Sequence, residues 1–142
     1  MFFVYEYVAG GNLRKICKEL KLFPLYYRIN TILKFSMQMI EGMKALHKYG
    51  VIHRDIKTTN MVVNIFRSNN NKKDNSGWEN DYSNIDNSEV KVIDFGLSRI
   101  LGEYKNSTDP YGSLCFKAPE LIKYELYNFK VDMWAIEITI YF

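Results

Sequence analysis

The spacing of apolar positions changes period several times along the chain. Between Leu25 and Tyr49, Ile29, Ile32, Leu33, Phe35, Met37, Ile40, Met43 and Leu46 recur at steps of three and four. That spacing predicts one long amphipathic helix, stopped by Gly50. Residues 2 to 8 alternate in strand fashion as far as Gly10 and Gly11, after which Asn12 is placed to cap a short helix reaching Lys21. Val51 and Ile52, residues 61 to 66, and Val90 to Ile93 read as strands. His47, on the last turn of the long helix, reads as a favourable helix-end residue rather than a ligand.

Residues 67 to 89 break the pattern. The stretch RSNNNKKDNSGWENDYSNIDNSE holds seven Asn, four Ser and three Asp, too little apolar surface to offset its ordering entropy. It is expected to be a disordered insertion, with a docking loop anchored on Trp78 and Tyr82 as the alternative. The strands that flank it are expected to pair as a hairpin, which would bring Asn60 and Asp94 to one edge. An amide and a carboxylate held side by side are hard oxygen donors suited to Mg²⁺, which takes its other ligands from water and phosphates. Gly96 is expected to give the backbone freedom to turn just after Asp94.

Composition narrows the class. The 142 residues are one domain or part of one, and 47% hydrophobic with 15% aromatic content suffices for a packed core. The net charge of +3 comes from scattered Lys and Arg rather than a basic stripe, which argues against a nucleic-acid partner. Cys17 and Cys115 lie far apart in unlike contexts, so both read as packing residues of a reducing compartment, the cytoplasm first. Glu6 interrupts an apolar start that lacks a basic leader, and IEITIYF is too short to span a bilayer, so no secretory signal and no membrane span are expected.

The densest chemistry lies in VIHRDIKTTNMVV, residues 51 to 63. His53, Arg54, Asp55, Lys57 and Asn60 fall within eight positions between two strand-like apolar flanks. Flanks of that kind hold a polar turn rigidly, and rigid polar loops are where catalytic groups tend to sit. HRDIKTTN at 53 to 60, DFG at 94 to 96 and APE at 118 to 120 resemble, in order and spacing, the signatures of the eukaryotic protein kinase family. YEYVAGGNL near the start resembles the family's hinge, and VDMW at 131 to 134 resembles the opening of its buried central helix. Lys57 and Ser113 are similar to the serine/threonine branch, and YGSLCFKAPE to its calcium/calmodulin-dependent and calcium-dependent groups.

The resemblance implies an α+β, protein-kinase-like fold: a partial C-terminal lobe, mainly helical with a small β-hairpin, without the N-terminal lobe. Residues 1 to 142 would run from hinge to central helix, with 67 to 89 inserted. It implies that Asp55 orients a substrate hydroxyl and accepts its proton, and that Lys57 stabilises charge on the transferring phosphoryl group. Asn60 and Asp94 would hold Mg²⁺ on the phosphates of ATP. Backbone groups of Glu6 and Val8 would bind adenine, Tyr5 would be the gatekeeper, and Val62 the floor beneath the base. His53, Phe95 and Asp132 would be scaffolding. The implied partners are ATP and a protein substrate.

The same resemblance implies a glycine-rich phosphate loop, a strand lysine and a helix glutamate ahead of the hinge. The 142 residues contain no GxGxxG, and Ala9, Gly10, Gly11 do not replace it. The isolated chain is therefore expected to be inactive, and a non-catalytic kinase-like module binding protein or nucleotide is the alternative. Ile136, Ile138, Ile140, Tyr141 and Phe142 are expected to be partly exposed, a surface for a partner. Glu137 stands where a small residue is expected. Arg54 would receive an anionic group from segment 97 to 117. Counting back from Ser113 places Asp109 there, with Ser107 and Thr108 as phosphorylatable neighbours.

Overall fold

A computed structural model describes residues 6–8, 10–64, 87–101 and 108–141. The strand expected over 2 to 8 is not formed at Glu6 to Val8, and residues 1 to 5 lie outside the described residues. Helix α1 spans Leu13–Leu20 and is capped as expected, Asn12 Oδ1 accepting from the Lys15 N–H at 3.0 Å. Its Leu13, Ile16 and Leu20 are buried. Helix α2 spans Leu25–Lys48 and ends at Gly50, whose φ of +72° suits glycine.

The buried stripe of α2 differs from the expected one. Thr31, Phe35, Met39 and Met43 are buried, whereas Ile29, Ile32, Leu33, Met37 and Ile40 are exposed. Steps of four define a single ridge, and that ridge is the one packed on the core. Periodicity reports how apolar a helix is, not which of two neighbouring ridges faces inward.

Four short strands follow among the described residues. Strand β1 (Val51–Ile52) pairs antiparallel with β4 (Arg99–Ile100), setting Ile52 opposite Arg99, a ladder absent from the sequence reading. Strands β2 (Met61–Asn64) and β3 (Glu89–Val92) form the expected hairpin, with Met61 opposite Val92 and Val63 opposite Val90. Glu89, expected within the insertion, opens β3. Gln38 of α2 explains why: its amide nitrogen donates to the Ser88 carbonyl at 3.2 Å and its oxygen accepts from the Val90 N–H at 2.8 Å. Ser88 is buried in consequence. Residues 65 to 86, with Trp78 and Tyr82, lie outside the described residues.

A short helix α3 (Pro119–Ile122) leads to α4 (Lys130–Tyr141), which packs across α2. The main core joins Ile16, Phe35, Met39, Met43, Ile56, Met61, Val63 and Ile136, so α1, α2, α4 and the hairpin share one interior. A second cluster, including Ile52, Leu101, Leu121, Tyr127 and Val131, lies under the β1–β4 ladder. The tail of α4 is partly exposed as expected at Ile138 and Ile140, which are half-buried, and at Tyr141, which is exposed, whereas Ile136 is buried. Phe142 lies outside the described residues. Glu137 faces solvent, so its size meets no obstacle among them. Cys17 packs on the main core, where burial pushes its thiol up, but Cys115 is exposed rather than a packing residue. No helix among the described residues is long and apolar enough to cross a membrane.

Candidate active site

The loop from His53 to Asn60 is pinned from beneath by one carboxylate. Asp132, at the start of α4 and 1% exposed, accepts from the backbone N–H groups of His53 and Arg54, each at 2.9 Å. His47 Nε2 lies 2.8 Å from the same carboxylate and its ring sits 4.9 Å from that of Phe129. His47 is thus a partner of Asp132, not merely a helix-end residue. These bonds hold Arg54 at φ +70°, a left-handed conformation costly for a side chain of its size.

His53 is fully buried and reads out its own tautomer. Its Nδ1 accepts from the Asp55 N–H at 3.3 Å, so Nε2 carries the proton and donates to the Ile93 carbonyl at 3.1 Å. Burial pushes this imidazole below its usual range. The Ile93 carbonyl and the carboxylates of Asp132, Asp55 and Asp94 oppose that shift without overcoming it. Phe95 meets the ring edge-on at 5.1 Å, although the phenyl group itself is exposed.

Asp55 is the point of convergence. One carboxylate oxygen accepts from Lys57 Nζ at 2.7 Å and from Asn60 Nδ2 at 2.9 Å. The other accepts from the Ser113 N–H at 3.1 Å and its hydroxyl at 2.8 Å, and Lys57 Nζ also donates to that hydroxyl at 2.9 Å. Burial alone would raise the carboxyl, but the hydrogen bonds from Lys57 and Ser113 and the Lys57 charge outweigh it. Asp55 is consequently held below the usual carboxylate range, as an oriented anion at neutral pH.

Asn60 and Asp94 stand at the same edge of the hairpin, as expected. The Asn60 carbonyl accepts from the Ile93 N–H at 2.9 Å, next to Asp94 in the chain. With the Asn60 amide nitrogen donating to the Asp55 carbonyl and carboxylate, the amide oxygen is the atom suited to a cation. Asp94 is exposed, and one of its oxygens accepts from the Gly96 N–H at 3.3 Å. The left-handed residue here is Asp94, at φ +64°, and not Gly96. Glycine serves a different purpose at 96: a Cβ there would lie 3.2 Å from the Asp94 oxygen. No group of three or more His, Cys, Asp or Glu among the described residues forms a metal cage. One amide and one carboxylate fit a cation that keeps waters and binds substrate phosphates, the habit of Mg²⁺.

The chain matches the protein kinase domain over residues 1–142. It belongs to the protein kinase family. It is 36% identical over 105 residues to the DNA damage response protein kinase DUN1 of Saccharomyces cerevisiae, covering 73% of this chain and 20% of that protein. It is 30% identical to the serine/threonine/tyrosine-protein kinase HT1 of Arabidopsis thaliana, over 97% of this chain and 30% of that one. With the human hormonally up-regulated neu tumor-associated kinase it shares 31% identity over 99% of its length and 16% of the relative's. The chain thus spans less than a third of the length of each of these relatives.

Of the residues expected around a nucleotide base, Glu6 and Val62 are linked through Lys91 of the hairpin. Glu6 pairs with Lys91 Nζ at 2.6 Å, and Lys91 faces Val62 across the ladder. The Val63 N–H donates to the Gly11 carbonyl at 2.9 Å, and Asn12 bridges to Val62, which lays Gly11 and Asn12 along β2. Val8 and Val62 are half-buried, and Tyr5 lies outside the described residues.

The segment leading to α3 lies over the loop from His53 to Asn60, Ser113 donating to Asp55. Asp109 pairs with Arg99 Nη1 at 2.5 Å and lies 3.8 Å from Arg54 Nη1, so its nearer partner is Arg99 rather than the expected Arg54. Arg99, Gly112 and Tyr127 were not singled out by the sequence reading. Only Gly112 carried a signal, as a glycine immediately before Ser113.

Proposed function

We propose that this chain is the hinge and first part of the larger lobe of a serine/threonine protein kinase, transferring the γ-phosphoryl group of ATP to a protein hydroxyl. The observation that carries this reading is the convergence of Lys57, Asn60 and Ser113 on the Asp55 carboxylate, beside an exposed Asp94. Asp55 orients the incoming hydroxyl and accepts its proton in the transition state; its lowered pKa favours orientation over early deprotonation. The hydroxyl would take the place at Oδ1 now filled by Ser113, or share it, with Lys57 bridging the two. The Lys57 ammonium meets negative charge on the phosphoryl group as it leaves. Asn60 and Asp94 would hold Mg²⁺, which neutralises charge on the ATP phosphates when bound. Glu6, Val8 and Val62, with Tyr5, would form the adenine site.

The nature of the acceptor is tested with peptides differing only in Ser, Thr or Tyr. The protein must then carry a glycine-rich loop and strand lysine ahead of residue 1, natural or grafted from a relative. Transfer to Ser and Thr at about 1 to 100 per second, with little to Tyr, is the expected result. Preference for Tyr would contradict the assignment based on Lys57 and Ser113. The 142 residues alone are expected to show negligible transfer, since they contain no GxGxxG phosphate loop.

A further inference from the structure

A helix side chain closes the hairpin that leads to Asp94. Residues 65 to 88 separate β2 from β3 in the chain, so no two-residue turn joins the strands, and closing so long a connection costs entropy that a tight turn does not. Gln38 of α2 bonds the backbone on both sides of Glu89, the first residue of β3. We infer that Gln38 is a positioning residue: its amide fastens the start of β3 to α2 and so holds Asp94, just past the other end of that strand, beside Asn60.

The bonding pattern leaves a place for such a group. Val63 and Val90 face each other across the ladder, yet the Val63 N–H goes to the Gly11 carbonyl and the Val90 N–H to Gln38 Oε1 at 2.8 Å. Gln38 Nε2 donates to the Ser88 carbonyl at 3.2 Å. A primary amide supplies a donor and an acceptor together, so one side chain answers two backbone groups of β3 as a neighbouring strand would. One turn further along α2, at Gly42, the helix has no side chain, and a Cβ there would lie 3.7 Å from Val92. Gln38 and Gly42 thus present one face of α2 to both halves of the strand. The helix itself is anchored by Phe35, Met39 and Met43, all buried.

Asp94 depends on that strand for its place. Among the described residues its carboxylate hydrogen-bonds only the Gly96 N–H of its own turn. The backbone bond nearest to it is the one from the Ile93 N–H to the Asn60 carbonyl. Strand β3 has four residues, with Glu89 exposed and the other three half-buried. A strand so short and so thinly covered opens from an unfastened end, and the opening travels to Ile93. The role toward Mg²⁺ rests on the kinase reading above; the fastening does not.

The test is amide hydrogen exchange on the 142-residue chain with Gln38→Met and Gln38→Ala. Both replacements are good helix formers, and methionine keeps the length of glutamine while removing its strong donor and acceptor. The Ile93 amide is expected to be protected, and both variants should accelerate its exchange on the order of tenfold, the range for losing one or two neutral hydrogen bonds. Amides in the middle of α2 should keep their rates. Acceleration confined to Val90, with Ile93 unchanged, would overturn the inference, because Gln38 would then cap the strand without placing Asp94. Equal acceleration in α2 would overturn it as well. In a form carrying the glycine-rich loop and strand lysine, Gln38→Met should raise the Mg²⁺ concentration for half-maximal transfer by about threefold or more, with the KM for acceptor peptide unchanged. An unmoved Mg²⁺ requirement would contradict the positioning role. If the unsubstituted form transfers no phosphate while the exchange pattern holds, the fastening stands and the kinase reading fails.

Discussion

The loop of residues 53 to 60 and the segment lying over it are held by different physics. Residues 53 to 60 are fixed from below by Asp132, which is buried with His53 and Ile56 and accepts from the His53 and Arg54 N–H groups. Residues 108 to 113 lie nearer the surface and depend on charge, through Asp109, Arg99 and Arg54, and on two bonds from Ser113 to Asp55. Interactions of the first kind persist for as long as the fold does. Those of the second are screened by salt and can be exchanged for other anions. One end of the site is thereby built into the fold, and the other is fastened by exchangeable charge.

The largest effect should come from removing the lower support. Asp132→Ala leaves the His53 and Arg54 N–H groups without their buried acceptor. It should cost about 3 to 5 kcal/mol in urea unfolding. Asp132→Asn keeps an acceptor and should cost less. A loss below about 1 kcal/mol for the alanine variant would mean that the loop is held from elsewhere. Gly112→Ala attacks the upper segment instead. Its positive φ and the approach to the Arg54 carbonyl should together cost about 1 to 3 kcal/mol. Part of that loss should be escaped by local release, seen as faster exchange of the Ser113 amide with α2 unaffected. Equal acceleration in both places would erase the distinction between the two regions.

A smaller effect separates them by pH. The folded-state pKa of His53 lies below its unfolded value of about 6.5, so the unfolded chain binds more protons between the two. Stability from this residue is full above about 6.5 and is lost as pH falls toward the folded value. Thermal unfolding between pH 7 and 5 should show that slope, reduced in His53→Gln. An unchanged slope would assign the proton uptake to another group.

Much of this division was legible in the sequence, because local rules govern most of it. Asn12 before an apolar repeat, Gly50 after one, and two β-branched runs around a polar insertion each point to a specific element. The placement of Asn60 and Asp94 at one edge followed from the hairpin. Other features depended on tertiary choice. Which ridge of α2 packs inward is decided by α4 and the hairpin, so the expected stripe included five exposed residues. The β1–β4 ladder joins strands of two residues each, too short to produce a pattern. His47 looked like a helix-end cation because its partner Asp132 is 85 positions away. The start of β3 at Glu89 was hidden by the polarity of Asn87, Ser88 and Glu89, while Gln38 on a distant helix bonds Ser88 and Val90.

The central claim is that Asp55 is oriented for phosphoryl transfer and not for holding nucleotide. It is tested most directly by Asp55→Asn in a form carrying the phosphate loop and strand lysine, with transfer to peptide and ATP affinity measured on the same preparation. Asparagine preserves the shape but neither accepts the hydroxyl proton nor pairs with the Lys57 charge. Transfer should fall on the order of a hundredfold to ten-thousandfold, the range for losing general base catalysis, while ATP affinity stays within about twofold. Parallel loss of transfer and affinity, or transfer that survives the substitution, would contradict the role given to Asp55.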